Sequence, residues 1–263
     1  MDVVKTVDIT LPDGQMLKPK ELIEIRGTGP LTLADRRTFN VLLNNAWGKN
    51  ILLHQHSFTI STTDLKHDAQ TNQRLKRSLR RLQQTLVIAA QPNGDEVTSQ
   101  LLGSTRIRSN GDLTYSFPAE LADLLKDSSV FAKLDLAVMK SFSSKYAFAL
   151  YEAVSRRINL SHKITEELEI EDMRDILGVE DGKLSAYRNL RIKAIEPAVT
   201  EVNAITRYQV IIIPRTKGRK VIGLLMGWSV KDEDGMKRAY KELQRPQVGR
   251  KARLDGSQSE VID

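Results

Sequence analysis

The stretch Gly182–Trp228, GKLSAYRNLRIKAIEPAVTEVNAITRYQVIIIPRTKGRKVIGLLMGW, constrains the fold more than any other part of the chain. Its first half has the period of an amphipathic helix. At about 100° per residue, Leu190, Ala194, Ala198 and Ile205 fall on one side. Ser185, Arg188, Asn189, Ile192 and Lys193 fall on the other, with Arg191 at the flank. Two apolar runs follow, Arg207–Ile213 and Lys220–Trp228, which flank Pro214, Arg215, Thr216, Lys217, Gly218 and Arg219. That pattern predicts a β-hairpin with a cationic tip. Pro197 conflicts with an unbroken helix, because it offers no N–H and crowds the preceding turn. A kink, or a junction of two helices, is expected there.

A helix that exposes cations, followed by a ribbon with a cationic tip, is the arrangement of a winged helix. A helix fits the major groove of DNA, and cations on the tip suit phosphates. A solvated helix beside an ordinary surface hairpin has the same local pattern, so the rest of the chain must decide. The 263 residues hold 40 Lys and Arg against 33 Asp and Glu, a formal net charge of +7, which favours a polyanionic partner. There is no cysteine, which excludes disulfides, thiolate zinc sites and cysteine nucleophiles. No apolar run approaches the roughly 18 residues of a membrane span, and Met1–Thr10 lacks a signal-peptide pattern. A soluble, cytoplasmic protein with no membrane partner is expected.

Residues 1–17 form a polar lead-in. Thr32 with Asp35 makes an [ST]-x-x-[DE] capping box, and Phe39, Leu42, Leu43, Ala46 and Trp47 keep helical spacing up to Gly48. Thr71–Val87, TNQRLKRSLRRLQQTLV, is the clearest helix of the first half. Leu75, Leu79, Leu82 and Leu86 form its apolar stripe. Arg74, Lys76, Arg77, Arg80 and Arg81 are offset by no acid within it, whereas solvated helices usually mix signs in i, i+4 pairs. An external anion is implied. Strands are predicted over 85–117, with turns at Pro92-Asn93-Gly94-Asp95 and Ser109-Asn110-Gly111-Asp112 and a basic edge at Arg106 and Arg108. Asp127-Ser128-Ser129 is the expected boundary.

The second half repeats the order of elements: a helix over Ser143–Leu160, a short helix over Glu169–Leu177 closed by Gly178, then the long helix and hairpin. Each half therefore runs helix, short helix, basic helix, hairpin. The fold class expected is α+β, with two tandem winged-helix domains, each a helical core with a β-hairpin wing. Domain one spans 18–127 and domain two 128–231, followed by a charged, flexible tail over 232–263.

Catalytic patterns are missing. His54-x-His56 with His67 could in principle hold a metal, but Gln55 stands between the pair and no acid–tyrosine set is nearby. Gly178–Lys183 is one residue short of a phosphate loop, and Leu184 stands where Mg²⁺ needs a hydroxyl. The acids Glu166, Glu167, Glu169, Glu171, Asp172 and Asp175 are expected to form a solvated face. No metal, no cofactor and no enzymatic activity are expected.

SFSSKYAFALY at Ser141–Tyr151, the EIEDMRDILGV helix, YRNLRIKAIEPAVTEVN and the PRTKGRKV turn resemble the initiator replication proteins of iteron-containing plasmids. LKPKELIEI, LTLADRRTFNVLL and YSFPAELADLL resemble the same family more loosely. The resemblance implies two tandem winged-helix domains and a monomer that binds directly repeated origin sequences, the iterons. It also implies a dimer, formed through the first domain, that binds an inverted repeat at its own promoter and represses it. The host initiator and the replicative helicase are the further partners implied.

On that resemblance the recognition helix is Leu184–Asn203, with Arg188, Asn189 and Arg191 facing bases. Arginine suits guanine and asparagine suits adenine. Lys183, Lys193, Arg215, Lys217, Arg219 and Lys220 would hold phosphates. Ser143, Ser144 and Lys145 lie at a helix N-terminus, where N–H groups attract phosphate. Arg74, Arg77, Arg80 and Arg81 would face the adjoining groove. Two other classes remain open: a winged-helix regulator that never starts replication, and a nicking enzyme, which the missing histidine–tyrosine chemistry disfavours.

Overall fold

A computed structural model of the protein describes residues 9, 11–47, 57–65, 71–90, 94–126, 128–160 and 163–258. The chain divides into two compact units, Met1–Leu134 with Gly178–Asp181, and Asp135–Leu177 with Gly182–Asp263.

Unit one begins with β1 (Gln15–Pro19), α1 (Lys20–Ile23), α2 (Leu33–Trp47), β2 (Phe58–Ser61), α3 (Thr62–Leu65) and α4 (Asn72–Gln84). It continues through β3 (Leu86–Ala90), β4 (Glu96–Gln100), β5 (Thr105–Ile107), β6 (Asp112–Tyr115), α5 (Ala119–Lys126) and β7 (Phe131–Asp135). The strands pair as β1–β7, as the β3–β4 hairpin, and as a three-stranded sheet in the order β2-β6-β5.

The predicted capping box starts α2. Thr32 N–H donates to Asp35 Oδ2 at 2.8 Å, and Asp35 N–H donates to Thr32 Oγ1 at 3.3 Å. Its inner face, Phe39, Leu42, Leu43 and Ala46, is sealed from water. Phe39, Phe58, Tyr115 and Phe117 meet edge-on or tilted, with ring centres 5.6–6.1 Å apart. Tyr115 Oη donates to Leu42 O at 2.6 Å and accepts from Asn45 Nδ2 at 2.8 Å. Burial pushes its hydroxyl up to about 12.

Three expectations are corrected here. Met16 and Leu17 are buried in β1, so the last two residues of the lead-in join the core. Leu86 does not extend the α4 stripe: the helix ends at Gln84, Thr85 is extended, and Leu86 opens β3 with 58% of its surface exposed. Three of the four residues from Thr85 to Ile88 are β-branched, which favours the strand over one more helical turn. The polar stretch after residue 127 does not end unit one, because β7 pairs with β1.

Unit two contains α6 (Leu136–Ser141), α7 (Lys145–Arg157), β8 (Thr165–Leu168), α8 (Ile170–Leu177), α9 (Tyr187–Leu190), α10 (Glu196–Ile205), β9 (Tyr208–Lys217) and β10 (Lys220–Val230). Two more helices follow, α11 (Glu233–Leu243) and α12 (Arg250–Gln258). Helix α7 is the axis of this unit, buried from Ala147 to Arg157, and both α8 and α10 pack on it. The sheet is antiparallel in the order β8-β10-β9.

The expected flexible tail is instead largely helical. Asp232 caps α11 by accepting the Gly235 N–H at 2.8 Å, and Gly235 and Ala239 are buried where α11 packs along α10. Small residues on the inner face allow that approach. Arg250 at the start of α12 is 3% exposed. Composition suggested solvent exposure because these helices dock through ion pairs, which a hydrophobicity pattern does not register.

Candidate nucleic-acid interface

The long helix of the second unit is continuous but not uniform. Between α9 and α10, Arg191–Ile195 form one π turn, in which Glu196 N–H reaches back five residues to Arg191 O. Leu190, Ala194, Ala198, Val202 and Ile205 are all at most 1% exposed. In an ideal α-helix Val202 would stand about 120° around from Leu190. One extra residue in a turn takes back about 100° of this and realigns the buried row. Pro197, exposed, stands just after the wide turn. The expected kink is therefore a local widening, with helical backbone angles kept at Leu190, Ile195 and Glu196. The helix itself runs over 187–205, not over the expected Leu184–Asn203.

Before the helix the chain turns sharply. Leu184 has a φ of +50°, which a side chain resists, and it is held there from α8. The Arg174 guanidinium, 9% exposed overall, donates from Nη2 to Lys183 O at 2.7 Å and from Nη1 to Leu184 O at 2.9 Å. This clamp fixes where the helix starts. Arg188, Asn189 and Lys193 then stand exposed on its outer face, and Lys183 is exposed in the turn. Arg191 is also exposed, but its Nε lies 3.1 Å from Glu196 Oε1. That pair is five residues apart, a spacing that does not bring side chains together on an α-helix. The π turn makes it possible, which is why α-helical spacing carries no sign of it.

The wing is longer than expected. β9 and β10 stay paired out to Lys217 and Lys220, leaving only Gly218 and Arg219 to turn, with Gly218 at a φ of +62°. Pro214 lies within β9, an edge strand, where a missing N–H is tolerated. Arg215, Lys217, Arg219 and Lys220 are exposed. Arg215 Nη1 donates to Glu167 Oε2 on β8 at 2.5 Å, passing Gly223 of the intervening strand, which has no side chain to obstruct it. Glu166 binds Arg157 Nε at 2.6 Å. Although burial opposes it, this guanidinium, together with Lys163, holds the Glu166 carboxyl below its ordinary range. These acids thus anchor cations and do not simply form a solvated face.

The α7 N-terminus already holds an anion. Ser143 N–H and Oγ–H donate to Glu201 Oε1 at 2.7 and 2.8 Å, and Ser144 N–H donates to Oε2 at 3.2 Å. Ser144 Oγ caps its own helix by accepting Tyr146 N–H at 3.2 Å. Lys145 Nζ lies 5.2 Å from the Tyr146 ring centre. The helix-terminus site expected for phosphate is therefore filled from α10, by a carboxylate the sequence reading did not single out.

In unit one, Arg74, Lys76, Arg77 and Arg80 are exposed along α4. Arg81 is not disposed like them. Its Nε and Nη2 donate to Asp35 Oδ2 and Oδ1 at 2.6 and 2.9 Å, and the Asp35 carboxylate is fully buried. Burial pushes the Asp35 carboxyl up, yet the hydrogen bonds from Arg81 and Thr32 outweigh it and hold it below its ordinary value. The acid missing from α4 comes from α2. Arg106 and Arg108 are exposed on the β5–β6 hairpin, whose turn is closed by Arg108 N–H donating to Asp112 O at 2.8 Å. His54, His56 and His67 lie outside the described residues. Among the described residues, no helix is long and apolar enough to cross a membrane.

A helical core with a basic helix and a two-stranded ribbon, present in both units, defines a tandem winged-helix protein of the DNA-binding type. Residues 15–155 match the family described as Initiator Replication protein, WH1, and residues 169–228 match Initiator Rep protein, WH2. The chain belongs to this initiator replication protein family. Its fold is similar to that of Pi initiator protein, solved in complex with iteron DNA: 18% identity, TM-score 0.62, covering 86% of this chain and 100% of that one. A more distant likeness is to domains 2 and 3 of RctB, with 9% identity, a TM-score of 0.43, and 82% of this chain and 86% of that chain covered. No curated protein matches the chain.

Proposed function

We propose that this protein initiates plasmid replication by binding directly repeated origin sequences as a monomer, and that as a dimer it represses its own promoter at an inverted repeat. The observation that carries this reading is the family match across both units, joined to an outer helix face in unit two that presents Arg188 and Asn189. The Pi initiator protein, of the same fold, was solved on iteron DNA, which supports the same ligand here.

In the proposed complex Arg188 and Asn189 contact base edges, because each can make two parallel hydrogen bonds to one base. Arg191 joins them by exchanging Glu196 for DNA. Lys183, Lys193, Lys217, Arg219 and Lys220 hold phosphates, and Arg215 does so from a position fixed by Glu167. Arg74, Arg77 and Arg80 follow the adjoining groove from unit one, and Arg81 sets the angle of their helix through Asp35. Lys145 meets the backbone beside α7. The first domain supplies the dimer contact. The host initiator and the replicative helicase act on the DNA so marked. The protein's part is binding and delivery, with no covalent step, cofactor or metal, in the bacterial cytoplasm.

The test is replication in trans. A plasmid carrying only the repeats flanking this gene is supplied with the wild-type protein or with Arg188→Ala/Arg191→Ala. Maintenance by the wild type alone is the expected result. Tight binding by the wild type without maintenance in either case would replace the proposal with a transcriptional regulator.

A further inference from the structure

On the outer face of the recognition helix, Ile192 can neither bind phosphate nor donate to a base. Ile192 is 45% exposed. The other aliphatic residues of the first half of this helix are withdrawn: Leu190 and Ala194 are at 0% and Ile195 at 3%. Ile192 follows Arg188 by one turn and Asn189 by three residues, and Lys193 and Arg191 stand exposed on either side of it. It also lies within the π turn, so the same local widening that aligns the buried row sets its position.

A single exposed aliphatic residue on a protein surface is ordinary. This one is set among exposed cations and an amide, on the face proposed above to enter the major groove, and the inference rests on that reading. Every polar neighbour can bind phosphate or a base heteroatom. Ile192 can only lose water against another apolar group. In the major groove the one apolar group displayed by a base pair is the C5-methyl of thymine. We propose that Ile192 is a specificity-determining residue that packs on a thymine methyl within the repeat, at the position next to those read by Arg188 and Asn189.

Deoxyuridine keeps every hydrogen-bonding atom of thymine and lacks only the methyl, so it isolates this contact. Full-length wild-type protein and Ile192→Ala are titrated with a duplex of one repeat from the DNA flanking the gene, with each thymine replaced in turn by deoxyuridine. For one buried methyl-sized group the wild type should lose about fourfold in affinity at one thymine. Ile192→Ala should bind the thymine and deoxyuridine duplexes equally at that position while keeping its sensitivity elsewhere. A wild-type scan that is flat at every thymine overturns the inference, as does an Ile192→Ala scan that keeps the wild-type pattern. A wild type that does not prefer the repeat to a random duplex overturns the initiator reading and this inference together. The probe changes DNA, not protein, so folding of the variant does not decide the outcome.

Discussion

Glu201 Oε1, on the recognition helix, accepts the backbone N–H of Ser143 at 2.7 Å, at the head of the central helix of its unit. The same carboxylate is approached by Arg250 Nη1 at 3.6 Å, and Arg250 Nε lies 3.6 Å from Glu242. Glu242 in turn accepts from Arg253 Nη2 at 2.7 Å. Two helices that lie far apart in the chain, α7 and α10, thus meet α12, a helix in the expected flexible tail, on one buried acid.

Removing either partner leaves the other charged and out of water. Glu201→Ala and Arg250→Ala should each lower stability by about 3 kcal/mol in urea unfolding. The double variant should cost clearly less than the sum, because the second change removes the charge stranded by the first. Strict additivity would mean that the two residues act independently and that α12 does not brace the recognition helix.

The Asp35–Arg81 pair makes unit one sensitive to acid. The folded carboxyl titrates below its ordinary value of 3.8, so the folded state favours the ionised form. Its contribution is complete above that value and is lost as pH falls through the lower folded value. Arg81→Ala should cost about 2 kcal/mol at neutral pH, less than a sealed pair, since Arg81 is 37% exposed and partly screened. The gap in denaturant midpoint between wild type and Asp35→Asn should be smaller at pH 3 than at pH 7. Equal differences at both pH values would exclude ionisation of Asp35 as the cause.

Arg174 acts on the interface without being proposed to touch DNA. Its two hydrogen bonds hold the carbonyls of Lys183 and Leu184 at the strained entry to the recognition helix. Arg174→Ala should destabilise the unit by about 2 kcal/mol and speed amide exchange over residues 183–189. Affinity for the repeat should fall more than affinity for random DNA, since base contacts need the helix placed accurately. Unchanged exchange in that segment would remove the clamp from the account.

Wing and helix should differ in what they recognise. Lys217→Ala is expected to weaken every duplex alike and to reduce the salt slope by about one unit. Arg188→Ala should cost about 1–3 kcal/mol on the repeat and much less on random DNA. Fluorescence titrations at several salt concentrations separate the two. Equal losses on both duplexes for Arg188→Ala would move it from base reader to phosphate contact.

The sequence alone determined the elements that depend on local period and turn chemistry. The capping box at Thr32 and Asp35, the stripe of Leu75, Leu79 and Leu82, the Gly178 stop and the hairpin after Arg207 are all set by residues near one another in the chain. So is the exposed row of Arg188, Asn189 and Lys193, since a helix with one buried side must turn the other to water. The tertiary structure decided which charges have partners. Arg81 is matched by Asp35 from 46 residues away, Arg215 by Glu167 from 48, and Ser143 by Glu201 from 58. The π turn belongs to the same class, because it realigns residues against a core that forms only when α7 and α10 pack. Charge pairing and core contact depend on distance in space, and a one-dimensional pattern carries only distance along the chain.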